Sequence, residues 1–380
     1  MNQLPKLSTI KDTIQDSNLN FLIGSGLSAN YLSPLANIES LLTDLASKSD
    51  LENNKRKIIE CSIYKHYFNQ VMHRNLDVLD NHPDASEVLN NYKSFLKTIN
   101  TLILLRKSTI LNKQINLFTT NVDVFLEKAL DETRLEFNDG FSGCFTPKFD
   151  LSNFKKLLYK TSLHYDNRAA IPVFNLVKLH GSLTWHLHEQ EIKFAGKIEA
   201  VKNLSEISIP NDKLIPITND TTIDTMIPAC DGLTLDDSLT QFIRVYEQLS
   251  IVNPTKEKLS LSLLNQTYYE LLRFYSNELE KENTILFVLG FSFRDEHIRD
   301  ITLRAANSNP TLITYVIAHS HKSCDEIKDR LRIDSLKYSN IKIVEPIQTD
   351  GRDEFKYDFK RINQDLFLKL LDNEGNVAVS

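Results

Sequence analysis

The sequence predicts an α/β protein: a parallel sheet flanked by helices, carrying a helical insertion and a smaller mixed insertion. Two observations predict it. Short apolar runs recur along the chain, separated by stretches whose apolar residues fall at helical spacing, the pattern of strands joined by crossover helices. Four of those runs end in short motifs bearing glycine, asparagine or histidine. In open parallel sheets, ligands bind beyond the carboxyl ends of the strands.

Asn20–Ile23 reads as a short buried strand running into Gly24-Ser25-Gly26-Leu27-Ser28-Ala29. Ser28 is placed to cap a following helix, which Pro34 keeps short or broken. From Ile38 to about Ile110 the spacing is helical, with a turn at Asn81-His82-Pro83-Asp84. Ile115–Thr119 is the second strand and Val122–Leu130 the helix after it. Asn138–Pro147, with two glycines and a proline, reads as loop. Phe174–Leu179 is a third strand ending at His180. Glu189–Asn253 lacks steady periodicity and reads as a cap of mixed structure. Leu259–Lys281 is helical and leads to the strand Thr284–Leu289, followed by a helix from Asp295 to Asn307. Thr311–Ala318 and Ile341–Val344 are further strands, and Phe355–Leu371 is a C-terminal helix. The expected core is therefore discontinuous, over 15–37, 110–185 and 259–346. A helical insertion occupies 38–109, a cap 186–258, and a C-terminal helix and tail 347–380.

Composition narrows the partners. With 41% hydrophobic and 25% charged residues the chain is globular in type. A net charge of -6 gives no general attraction to nucleic acid or anionic membranes. The longest apolar run, Ile285–Phe291, has seven residues, against the roughly 18–20 that cross a bilayer. The opening residues carry no signal-peptide core, so the expected compartment is the cytoplasm. Cys61, Cys144, Cys230 and Cys324 lie far apart with no CxxC pair, so no zinc ribbon and no metal is expected, and the thiols read as unpaired, buried apolar residues.

Gly24–Ala29 fits the G-x-G-x-x-A dinucleotide pattern that makes the core Rossmann-like. The first glycine permits the turn, the second admits a pyrophosphate to the backbone, and Ala29 allows close helix–strand packing. A following helix N-terminus would favour phosphate. A ligand-free tight turn has the same look. Asp44, at the position of the usual ribose-binding acid, falls within a helical stretch, which argues against an ordinary dehydrogenase. In Thr119-Thr120-Asn121-Val122-Asp123, Asn121 can bond a ribose hydroxyl, hold a water or cap a helix, and Asp123 can accept from a carboxamide. His180-Gly181-Ser182 offers a general base or a hydroxyl-orienting group, or simply a structural histidine. His186 and His188 lie nearby without an acidic or thiol ligand at metal spacing. In Gly290-Phe291-Ser292-Phe293, the glycine and serine suit phosphate or ribose contacts. Asp295 reads as a helix cap and is left out of the site.

Together these motifs resemble the sirtuin family, specifically its bacterial sirtuin-like NAD-hydrolase branch, over scattered segments from about Asn18 to Ala318. The resemblance implies that Gly24, Ser25, Gly26 and Ser28 hold the pyrophosphate of NAD. Thr120, Asn121 and Asp123 would line the nicotinamide-ribose pocket, with His180 catalytic beside Asn121, and Gly290 and Ser292 on the far side of NAD. Protein-deacylating sirtuins follow the glycine loop with Ala-Gly-Ile-Pro-Asp-Phe-Arg; here Tyr31-Leu32-Ser33-Pro34-Leu35-Ala36-Asn37 keeps only the proline. Their Gln is Thr120 and their zinc cysteine pairs are missing. The expected activity is thus NAD glycohydrolysis, with NAD as substrate and no metal. The resemblance further implies a role in anti-phage defence, a homo-oligomer and a HerA-like hexameric ATPase as partner. A non-catalytic NAD or ADP-ribose sensor and an NAD-dependent deacylase are the competing readings.

Overall fold

Strands buried on both faces read as continuous apolar runs, because neither face meets water. Phe21–Ile23 and Ile285–Leu289 are such runs. In the computed structural model, which describes residues 7–33, 38–108, 110–164, 167–188, 191–252, 263–346 and 356–372, they lie at the middle of a seven-stranded sheet. Its strands are β1 (Asn18–Ile23), β2 (Gln114–Thr119), β3 (Phe137–Asn138), β4 (Val173–Lys178), β5 (Thr284–Leu289), β6 (Ile313–Ile317) and β7 (Ile341–Val344). The order is β7-β6-β5-β1-β2-β4-β3, and every adjacent pair is parallel. This is the Rossmann-like α/β class expected from the sequence. The chain moves from β1 outward through β2 and β4, then crosses to β5 on the other side of β1. That reversal makes β1 and β5 the topological switch point of the sheet, the place where such folds commonly bind ligands.

Alternating side chains send one set to each face. Phe21, Ile23, Leu117 and Phe287 pack on the side of α1 (Leu7–Gln15), α2 (Ile38–Ser47), α3 (Asn53–Tyr67), α4 (Arg74–Leu79), α5 (Pro83–Leu104) and α6 (Phe125–Thr133). Phe95 of α5 meets Phe21 edge-on at 5.2 Å, and Phe367 near the C-terminus meets Phe287 at 5.2 Å. The segment read as a helical insertion therefore lies directly on the sheet. The same cluster takes in α7 (Glu199–Ser205), α8 (Ile223–Ala229) and α9 (Asp237–Tyr246). Leu22, Phe118, Val288 and Val316 face α10 (Leu263–Leu279), α11 (Glu296–Ser308) and α12 (His321–Leu331).

One row on that second face is polar. Asn20, Asn116, Asn175 and Asn138 stand side by side on β1, β2, β4 and β3. Asn116 donates to Asn20 at 2.8 Å, Asn175 to Asn116 at 2.8 Å, and Asn138 to Asn175 at 3.0 Å. Asn116 also donates to Glu278 of α10 at 3.1 Å. Buried amides are tolerated when they satisfy one another, and this ladder does so across four strands.

Some elements differ from expectation. The stretch 138–147 is not all loop. Phe141–Ser142 joins Lys148–Phe149, Trp185–His188 and Glu191–Phe194 in a four-stranded antiparallel sheet. Its turn residues are outweighed by the packing of Phe149 on Trp185 at 4.9 Å and on Phe141 at 5.4 Å. A hairpin, Tyr159–Thr161 with Arg168–Ala170, and helix α1 were not expected. Pro34 to Asn37, Glu189, the helix start at Leu259 and Phe355 lie outside the described residues. Among the described residues, no helix is long and apolar enough to cross a membrane.

Candidate functional site at the carboxyl edge of the sheet

Each candidate residue lies on a loop leaving the carboxyl edge, and register sets their common level: Ile23 pairs with Thr119, and Thr119 with Lys178. The loops are tied together beyond the strands. Thr119 Oγ1 donates to the Ile23 carbonyl at 2.8 Å and accepts from the Asn121 amide at 3.0 Å. Leu179 N donates to Thr119 O at 2.8 Å, and Leu183 N to Val122 O at 3.1 Å.

The glycine loop is built for close backbone approach. Gly24 N donates to Leu289 O and Gly26 N to Gly290 O, both at 2.9 Å. A Cβ on Gly24 would overlap the Gly290 carbonyl and lie 2.7 Å from the Phe291 Cα. Gly290 itself has a φ of +62°, and its Cβ would lie 2.7 Å from Leu27 N. Two expectations change here. Only a three-residue 3₁₀ turn, Ser25–Leu27, follows β1, so no helix dipole faces a phosphate there. Ser28 caps no helix; its hydroxyl reaches the Asp123 carboxylate at 3.4 Å. Ser25 and Gly26 are exposed, whereas Ser28 is buried. Gly24→Ala should destabilise the protein by about 1–3 kcal/mol, as overpacking does, seen as a lower denaturant midpoint; an unchanged midpoint would refute the tight loop pairing.

Asn121 and Asp123 lie behind that rim. Helix α6 begins at Phe125, whose amide is bonded by Asp123 Oδ1 at 3.2 Å, so Asn121 is not the cap. Its Nδ2 is buried without a hydrogen-bond partner among the described residues. Beside it, within reach of Ser28 and Asn121 and facing the charge of Asp123, stands the buried hydroxyl of Tyr92 from α5, which makes no hydrogen bond of good geometry among the described residues. A buried donor without a partner calls for an explanation, and the Asn121 amide suits an oxygen of a bound molecule. Burial pushes the Asp123 carboxyl above its ordinary range, more than the facing Lys178 pulls it down. Burial and the charge of Asp123 also push the phenols of Tyr67 and Tyr92 upward. Asn75 of α4 accepts from Val124 N at 2.9 Å. Helices α4 and α5 thus cover this loop.

Beneath it lies a buried ion pair that the sequence reading missed. Lys178 Nζ is 3.0 Å from Glu127 Oε1 and 2.5 Å from the Asp123 carbonyl. Ser182 donates to Glu127 at 3.0 Å and meets Thr184 at 2.9 Å. A lone lysine at the end of an apolar strand was the available signal.

His180, at the end of β4, is half-buried, and its Nε2 is 3.0 Å from Asp295 Oδ2. Asp295 does cap α11, accepting from Ile298 N at 3.1 Å, but the cap does not exhaust it. Burial works to raise its carboxyl. The hydrogen bond and charge of His180, with the Ile298 amide, outweigh burial and hold it below the ordinary range. Its stabilising effect is therefore full above the ordinary carboxylate pKa and is lost as pH falls through the depressed folded value. Ser292 is exposed, its carbonyl accepting from Arg330 at 2.9 Å, and Thr120 is half-buried. His186 and His188 are exposed on their strand. Among the described residues no group of three His, Cys, Asp or Glu could hold a metal. Cys61, Cys230 and Cys324 are buried free thiols, while Cys144 is exposed.

The model of the SIR2-like domain matches residues 115–344 of this chain. The match begins at β2 and ends with β7, so it contains Asn121, Asp123, His180 and the Gly290 loop. The Gly24 loop lies before it but is hydrogen-bonded to Gly290 within it. No curated protein matches the chain.

Proposed function

Since the chain belongs to the SIR2-like domain family, whose domains bind NAD, we propose that it is an NAD+ glycohydrolase. The observation that carries this reading is a buried Asn121 amide without a partner among the described residues and a histidine fixed by a carboxylate, on the loops after two adjacent strands at the carboxyl edge of the sheet. Ser25 and Gly26, exposed at the rim, would meet the pyrophosphate. Asn121, Asp123 and Tyr92 would face the nicotinamide-ribose end.

The chemistry asks little of the protein. The C1′–N bond breaks with its electron pair passing to the positively charged nicotinamide ring, which leaves as a neutral molecule. The ribose passes through an oxocarbenium-like state. A water oxygen bonds to C1′, and its proton passes to His180 and on to solvent. Asn121 positions that water, and His180 polarises it or a ribose hydroxyl. The products are nicotinamide and ADP-ribose.

The loss of the deacylases' Phe and Arg after the glycine loop supports hydrolysis over acyl transfer. From resemblance alone, the same reading takes NAD depletion to serve anti-phage defence, in a cytoplasmic homo-oligomer working with a HerA-like hexameric ATPase. The test is to incubate the purified chain with NAD and separate the products. Nicotinamide with ADP-ribose supports the reading. Nicotinamide released only with an acyl-peptide would favour a deacylase, and saturable binding without turnover would favour a sensor.

A further inference from the structure

We propose that Asp295 is the positioning residue that fixes the tautomer of His180 and so leaves Nδ1 as the basic atom offered to substrate. This rests on the glycohydrolase reading of the same site. A carboxylate can only accept hydrogen bonds, so the 3.0 Å contact with Asp295 Oδ2 places a proton on His180 Nε2. In a neutral imidazole the other nitrogen is then bare. Both carboxylate oxygens are engaged, Oδ1 by the Ile298 amide at 3.1 Å and Oδ2 by the imidazole. The carboxylate cannot turn without breaking the start of α11.

The histidine is held from its backbone as well. Its carbonyl accepts from Val252 N at 2.9 Å, and Gly181 bridges to Ile251. With main chain and Nε2 both fixed, the other ring edge carries Nδ1, on a side chain that is 28% exposed. The charged and titratable groups facing Asp295 are His180 from the β4 loop, His297 from its own helix and Tyr275 from α10. The contact joins the end of β4 to the end of β5, two strands that are not neighbours in the sheet. Helix capping is a local role that any Asp, Asn, Ser or Thr could fill; the bond to His180 is what requires a carboxylate.

Asp295→Asn separates the two roles. Asparagine caps helices as well as aspartate does, so the Ile298 bond and the fold should persist. Its Oδ1 stays on that amide, and Nδ2 then faces the imidazole as a donor. His180 Nε2 must become the acceptor, and the proton moves to Nδ1. In ¹⁵N NMR of labelled protein the wild type should show the Nε2–H tautomer and Asp295→Asn the Nδ1–H tautomer, at a nearly unchanged thermal midpoint. NAD turnover should fall by at least about 100-fold in kcat with little change in KM.

An Nδ1–H tautomer in the wild type would overturn the proposal whatever the activity. So would full kcat in Asp295→Asn despite the switched tautomer. If the tautomer switches and neither protein turns over NAD, the His180–Asp295 arrangement is supported and the glycohydrolase reading is what fails.

Discussion

His180→Ala is expected to lower NAD turnover by about two to four orders of magnitude, the usual worth of a positioned acid–base group. The fold should survive. The imidazole is half-buried at a strand end, and Asp295 keeps its bond to Ile298 without it. Asn121→Ala should act in parallel through the water or ribose hydroxyl that its free Nδ2 would hold. The measurement is steady-state NAD consumption with product separation, beside circular dichroism to verify folding. Full activity in both variants would sink the mechanism.

Lys178→Met is expected to have the largest effect on stability, a loss of about 3–5 kcal/mol. Removing one member of a buried pair leaves the other charge uncompensated. Lys178 and Glu127 expose 3% and 14% of their side chains. Urea midpoints read the loss. Because the cost lies in the stranded carboxylate, adding Glu127→Leu should recover a large part of it. A double variant as unstable as the sum of the two singles would show that the residues do not act as a pair. Lys178 also bonds the Asp123 carbonyl, so the single variant should bind NAD more weakly.

Six of the seven strands were legible because they are apolar runs; the two-residue edge strand Phe137–Asn138, too short to show a pattern, was not. Every loop motif falls at a carboxyl end for the same reason. What stayed hidden depends on contacts distant in sequence. Asp295 had a sufficient local explanation as a cap, and 115 positions separate it from its partner His180. Tyr92 lies within the helical stretch from Ile38 to Ile110, and nothing in its neighbours shows that its hydroxyl stands beside Asn121. The helix expected after Gly24 failed on a different ground. The loop is occupied by pairing with Gly290, which motif spacing does not reveal. Lys178 alone left a trace, as a charge in a strand that otherwise excludes them.

The asparagine ladder bears on how the site is assembled. Gly24, Thr120 and Leu179 each stand four residues beyond a rung, at Asn20, Asn116 and Asn175. Because side chains alternate, sliding one strand by a single residue would turn its amide to the opposite face and break the chain of bonds. The rungs thus serve as a shared zero mark, from which three loops remote in sequence are measured off to the same height. A single-residue insertion between Asn116 and Thr120 would lift Asn121 out of line while every rung below stayed in place.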